Sequence, residues 1–254
     1  MISRYEAVLN GQPLSAISAD ILIRDINYGP PQFRNTTYTL ARRNGARIHR
    51  RYVERTSVTI SFEIHTQRIT ERQAICNAVQ QWARNGGILE TNDRAGQRLR
   101  CVCDVLPVIG SVLRWTEVLA MTFTAYEVPF WEQIVPETLT QTGSSGSGTL
   151  FVPGSVDDAL VEVEVTAGGT LTTLSLTANG RTMTLSGISV ESGNTVKITY
   201  DEHQIQSIRT GNTSLLNKRT GVDDLLVDCG QTNTLGFSAD VSCTVEFKVR
   251  GLWL

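Results

Sequence analysis

The chain has 254 residues, 41% of them hydrophobic, and a formal net charge of −2, so it exceeds the usual size of one core and general disorder is excluded. No apolar run approaches the roughly 20 residues needed to cross a bilayer, and Met1-Ile2-Ser3-Arg4 does not lead into a signal-peptide core; no membrane segment is expected, and synthesis in a cytoplasm is. Charge is divided unevenly, with 16 Arg, no Lys and 12 acids in residues 1–132 against 7 Lys+Arg and 13 acids in residues 133–254.

A first strand, Arg4 to Leu9, runs into the turn pair Asn10-Gly11. Leu14 and the alternating Ile21 and Ile23 continue the sheet pattern until Gly29-Pro30-Pro31 stops it, since proline cannot donate to a ladder. The next hairpin has its strands at Thr36–Leu40 and Arg47–Arg55, joined near Asn44-Gly45. Val58, Ile60, Phe62 and Ile64 then alternate with Thr59, Ser61 and Glu63, the pattern of a strand with one dry and one wet face.

One helix is predicted. Ile75, Ala78, Val79 and Trp82 recur at the spacing of a single buried stripe, and Ile75, Val79 and Trp82 are the expected pin of the first domain. Thr70 and Gln73 read as a capping box, Gly86-Gly87 as the stop, and Arg84 suits the negative end of the dipole. After it come Ile88-Leu89, a turn around Asn92 to Gly96, strands at Arg98–Val105 and Trp115–Tyr126, and the ending Val128-Pro129-Phe130-Trp131-Glu132.

Gln141 to Gly148 is a glycine-serine stretch composed like a flexible linker. The expected division is therefore residues 1–135, a linker at 136–148, and residues 149–254. In the last part short apolar strands recur about every ten residues, with turns at Gly168-Gly169, Asn179-Gly180, Gly187 and Gly211, as in an antiparallel β-sandwich. The expected fold class is mainly β, an antiparallel domain with one amphipathic helix followed by a sandwich.

The search for chemistry is nearly empty. An odd number of cysteines, five, argues against a disulfide scaffold and for buried thiols. His49, His65 and His203 stand in no metal-spacing motif, and the pairs Asp157-Asp158, Asp201-Glu202 and Asp223-Asp224 read as solvated turns. No catalytic residue, metal or cofactor is expected. One stretch exceeds background: Arg42, Arg43, Arg47, Arg50, Arg51 and Arg55 crowd the second hairpin together with His49 and Tyr52. On an uninterrupted strand Arg47, His49, Arg51 and Arg55 share one face, with Arg50, Tyr52 and Glu54 on the other. These residues could grip phosphates, form subunit contacts or simply be solvated. The exclusive use of arginine favours subunit contacts, because guanidinium forks pair with carboxylates and are enriched at protein interfaces.

The arrangement resembles the distal tail proteins of long-tailed phages with flexible, non-contractile tails. The residues that carry the resemblance are Asn10-Gly11-Gln12-Pro13-Leu14 closing the first strand, Gly29-Pro30-Pro31 before the hairpin with Arg42-Arg43-Asn44-Gly45, and the helix ending in Trp82. To these add Leu89-Glu90-Thr91-Asn92-Asp93, the ending Pro129-Phe130-Trp131-Glu132, and Asp228 to Leu235 before the last strand. The resemblance implies a tail-tube-like first domain, a galectin-like sandwich, and structural work instead of catalysis. It implies a homohexameric ring at the virion tail tip, assembled in the host bacterial cytoplasm, that meets tail-tube, tape-measure and tip, baseplate or receptor-binding proteins while DNA passes its lumen unread. A carbohydrate-binding module and a tail-tube subunit are the alternatives, although the second half is poor in aromatics and a tube subunit has no need of it.

Overall fold

The computed structural model describes residues 5–39, 46–66, 68–109 and 118–254. The architecture is mainly β, as expected, and the chain divides into two compact units, Met1–Trp131 and Glu132–Trp253.

Unit 1 contains β1 (Ala7–Leu9), β2 (Gln12–Pro13), β3 (Ile21–Tyr28), β4 (Gln32–Thr39), β5 (Ala46–Ile64), α1 (Ile69–Ala83), β6 (Gly87–Thr91), β7 (Gln97–Val105) and β8 (Leu119–Ala125). The strands lie in the order β2-β1-β6-β7-β8-β5-β3, with β4 paired to β5. Asn10 and Gly11 take φ of 52° and 78°, the paired left-handed residues that a two-residue hairpin needs. Asn10 has a second task. Its side-chain amide donates to the Gly86 carbonyl at 3.0 Å and accepts from the Ile88 N–H at 2.9 Å, so one residue turns the first hairpin and holds the exit of α1. The alternation in β5 has the expected result: Val58, Ile60, Phe62 and Ile64 are buried together with Leu119, Met121, Phe123 and Ala125 of β8. On the other face the Thr59 and Thr122 hydroxyls meet at 3.1 Å, and the buried Glu63 accepts from Arg24 at 2.6 Å, with His65 Nε2 2.9 Å from the same oxygen. The Arg24 guanidinium holds the Glu63 carboxyl below the usual carboxylate range.

The helix differs from its expectation in two respects. It starts at Ile69, so Thr70 is already helical and no capping box forms; a cap must come from a residue whose backbone is still extended, which here is Arg68. Thr66 takes up part of that role, accepting from the Arg68 N–H at 3.4 Å and donating to Glu71 at 2.9 Å. The buried stripe is Arg72, Cys76, Val79 and Ala83, while Ile75, Ala78 and Trp82 are half-buried beside it. Of the expected pin only Val79 is fully buried. Trp82 sits at the margin of the helix face, where its indole N–H reaches the Gln12 carbonyl at 3.0 Å and its ring meets Phe123 edge-on at 6.1 Å. A large ring with one polar atom is suited to that margin, and the smaller Cys76 and Ala83 let the helix approach the sheet.

After β9 (Trp131–Gln133), unit 2 contains β10 (Glu137–Val152), β11 (Ala159–Ala167), β12 (Leu171–Ala178), β13 (Arg181–Val190), β14 (Thr195–Tyr200), β15 (Gln206–Thr210), β16 (Thr213–Ser214), β17 (Arg219–Gly221), β18 (Leu226–Val227), β19 (Gln231–Val249) and β20 (Leu252–Trp253). The linker expected over residues 136–148 is not one. Gln141 to Gly148 lies inside β10, which pairs with β19 from Glu137↔Val249 to Val152↔Gln231, with one irregularity between Gly143 and Ser145. Its glycines serve closeness. A Cβ on Gly148 would stand 3.2 Å from a Leu139 methyl, and one on Gly146 would stand 2.9 Å from the Phe237 ring. Residues nine apart on one strand touch only if the strand doubles back, so β10 folds over at the irregularity and carries β19 with it. One half of β19 then pairs with β11, followed by β14, β15 and β16; the other half pairs with β12, followed by β13 and β17. Val163 and Val165, Leu174 and Leu176, Val196 and Ile198, and Val245 and Phe247 are buried. Unit 2 has no α-helix to cover these faces, so the two layers cover each other as a sandwich whose corners are strands shared between layers.

Candidate subunit interface

The arginine-rich stretch lies on an arm made by β4 and the outer half of β5. Among the described residues only the inner half of β5, from Thr56 onward, is held by β3 and β8, and residues 46–55 pair with β4 alone. On the arm, the side chains of Phe33, Tyr38, Ile48 and Tyr52 are 39%, 45%, 59% and 48% exposed. Arg42 and Arg43 lie outside the described residues, as do Asn44-Gly45, Leu40 and Trp115.

The faces of the arm are not those expected from simple alternation. The pairing runs Gln32↔Arg55, Phe33↔Val53, Arg34↔Tyr52, Asn35↔Arg51, Thr36↔Arg50, Thr37↔Ile48, Tyr38↔Arg47, so β5 carries an extra residue at Glu54 and another at His49. Each bulge reverses the alternation along β5. Because β4 is uninterrupted, its even-numbered residues mark one face and its odd-numbered residues the other, and directly opposed residues share a face. Arg34, Arg47, Arg50 and Arg55 therefore fall together with Tyr38 and Tyr52. Arg51 is separated from them and joins Phe33, Ile48 and Val53. Side-chain contacts agree: Arg50 Nη1 donates to the Tyr52 hydroxyl at 3.1 Å, Arg55 Nε donates to Gln32 at 2.6 Å, and the Arg51 guanidinium lies 3.8 Å from the centre of the Phe33 ring. His49 meets Tyr38 edge-on at 6.3 Å. Arg34, Phe33 and Ile48 were missed from sequence because their membership depends on register, and nothing in the composition marks an inserted residue.

None of Arg34, Arg47, Arg50, Arg51 and Arg55 meets a carboxylate among the described residues, in contrast to Arg24 with Glu63, Arg68 with Glu71 and Arg219 with Asp223. The arm thus presents guanidinium groups with open donor positions, four of them on one face.

Elsewhere the residues weighed for chemistry have structural surroundings. All five cysteines are free thiols, and burial pushes the Cys101 thiol up to about 12, away from thiolate reactivity. Asp201 accepts from the backbone N–H groups of His203 at 2.9 Å and Ile205 at 2.8 Å, closing its own turn, and Asp223 accepts from Arg219 at 2.7 Å. Among the described residues no group of three His, Cys, Asp or Glu side chains is placed to hold a metal ion, and no helix is long and apolar enough to cross a membrane. In unit 2 Phe237 and Phe247 are buried, Tyr200 and Trp253 are half-buried, and Phe151 alone among the aromatics is exposed.

By sequence, the chain matches no family model and no curated protein. By structure it superposes on the SPP1 Dit (gp 19.1) protein with a TM-score of 0.73 and 11% identity, over 97% of this chain and 98% of that one. The chain has the Dit fold. That protein is described as a paradigm of the hub adsorption apparatus in phages that infect Gram-positive hosts. Chains of the phage p2 baseplate in its activated conformation, with Sr and with Ca, are similar at 10% and 9% identity with TM-scores of 0.48 and 0.45, over 98% and 99% of this chain and 98% of each of theirs. Those two scores add nothing to the assignment, which rests on the Dit superposition. Both units are contained in the Dit fold, so the sandwich is part of the shared architecture.

Proposed function

We propose that the chain is a structural subunit of a phage tail, a hub protein that assembles with copies of itself into a ring and joins the tail tube to the proteins of the tail tip or baseplate. The observation that carries this reading is the superposition on SPP1 Dit along nearly the whole of both chains. Unit 1 suits ring building, because its sheet has one face packed under α1 and an arm that runs beyond the sheet with guanidinium groups that meet no carboxylate among the described residues. Unit 2, a sandwich with its own core, suits attachment of tip or receptor-binding proteins outside such a ring. A tape-measure protein would end against the hub and DNA would cross the lumen unread. In this reading the protein is a component of the virion and performs no catalysis. Mass photometry and negative-stain electron microscopy of the purified full chain test it. A closed ring of six copies with a central channel is expected, and a monomer at every concentration from nanomolar to high micromolar would overturn the reading.

A further inference from the structure

A two-stranded ribbon with nothing packed on either face is marginal in water. The β4–β5 arm nevertheless aligns Phe33, Ile48 and Val53 on one face, with Phe33 and Ile48 exposed, Val53 half-buried and the Arg51 guanidinium over the Phe33 ring. Its other face bears Arg34, Arg47, Arg50 and Arg55, none of which meets a carboxylate among the described residues. The two faces ask for different things, a dry surface on one side and negative charge on the other.

Charge identifies the occupant. Residues 32–55 contain seven arginines and one acid, so in a chain of net −2 the remainder carries −8, of which −2 lies in the rest of residues 1–132 and −6 in residues 133–254. A molecule with a cationic arm and an anionic body is complementary to another copy of itself in a head-to-tail sense, the sense that closes into rings. We infer that the arm docks on the body of a second copy of this chain through the Phe33, Ile48 and Val53 face, and that the arginine face steers and orients the encounter without forming its buried contact. This rests on the ring reading above and names the surface that closes the ring. Apolar burial then governs how long neighbours stay together, and the exposed charges govern how fast they meet and how salt affects that rate. A duplex nucleic acid would use the arm the other way round, with phosphates on the arginine face and no role for the apolar one.

The test compares the full-length parent with Phe33→Ser/Ile48→Ser, with Arg47→Ser/Arg50→Ser/Arg55→Ser, and with Ile48→Val. Sedimentation velocity is run across concentration at low and high salt, and far-ultraviolet circular dichroism checks the fold. The apolar-face double variant should raise the concentration of half-assembly by about 30-fold or more, and Ile48→Val by no more than about threefold. The arginine variant should reach the same size as the parent, more slowly at low salt and with less salt dependence. Should the parent assemble and the folded apolar-face variant assemble equally well, this inference fails while the ring stands. A parent that never assembles removes the ring reading and this inference together. Loss of assembly in the arginine variant alone, or parent binding to a duplex DNA probe that only the arginine variant loses, would also overturn it. If the double variant does not fold, amide exchange on the parent decides the matter: residues 46–53 should exchange more slowly in assembled than in dilute protein, and equal rates refute the docking.

Discussion

Two strands of this molecule are each 19 residues long, and they are used in opposite ways. β19 has β10 along one side from Val249 to Gln231, with β11 and then β12 on the other. Among the described residues β5 has strand neighbours on both sides only in its inner half, and its outer half pairs with β4 alone. Strand length therefore says little about scaffolding. A strand flanked along most of its length satisfies its own backbone and buries its own side chains, whereas one that outruns its sheet leaves its free edge and faces to solvent or to another molecule.

The largest effects should separate the two halves of β5. Ile60→Ala, in the fully buried inner half, is expected to cost about 2–5 kcal/mol, while Ile48→Ala in the outer half of the same strand should stay within about 0.5 kcal/mol in dissociated protein. Denaturant titration measures both, and equal losses would erase the distinction. Next in size is Gly148→Val in β10, which forces a side chain against Leu139 and should cost about 1–3 kcal/mol, although the segment has the composition of a linker. Protease accessibility sharpens the same contrast. Trypsin should cut dissociated protein first after Arg47, Arg50, Arg51 or Arg55, and a broad-specificity protease should leave Gln141 to Gly148 intact; early cleavage within β10 would contradict the paired strand seen here.

The smallest expected effect lies at the inner end of β5 and depends on pH. Arg24 keeps the Glu63 carboxyl ionised at pH values where an unfolded chain has begun to take up protons. The resulting stability is fully present above the ordinary carboxylate value, roughly 4.3, and is lost as pH falls through the lower folded value. Glu63→Gln removes that dependence. Stability measured for parent and variant should converge on acidification below about pH 5, and a gap that widens would reverse the assigned sign.

What could be read in advance follows a physical line. Val58, Ile60, Phe62 and Ile64 announce their strand because one wet face forces alternation, and Asn10-Gly11 announces its turn because few other pairs accept two left-handed residues. The helix was legible in place but not in rotation, since Arg72 does not count as a core residue in any apolar tally and Trp82 does. Gln141 to Gly148 was misread because small residues chosen to let a strand double back have the same composition as those of a flexible joint. The arm was legible in its arginines but not in its faces. His49 and Glu54 are inserted relative to β4, and register is a property of two strands that neither declares alone.

The doubled strand pair of unit 2 has one more consequence. Glu137 pairs with Val249, and the Gln133 N–H bonds the Gly251 carbonyl at 2.8 Å, so the first and last long strands of this unit, β10 and β19, have their outer ends side by side. Tension applied through the same two ends would peel β10 from β19 one ladder bond at a time instead of shearing the ladder as a whole, which makes this the side from which the sandwich opens under load.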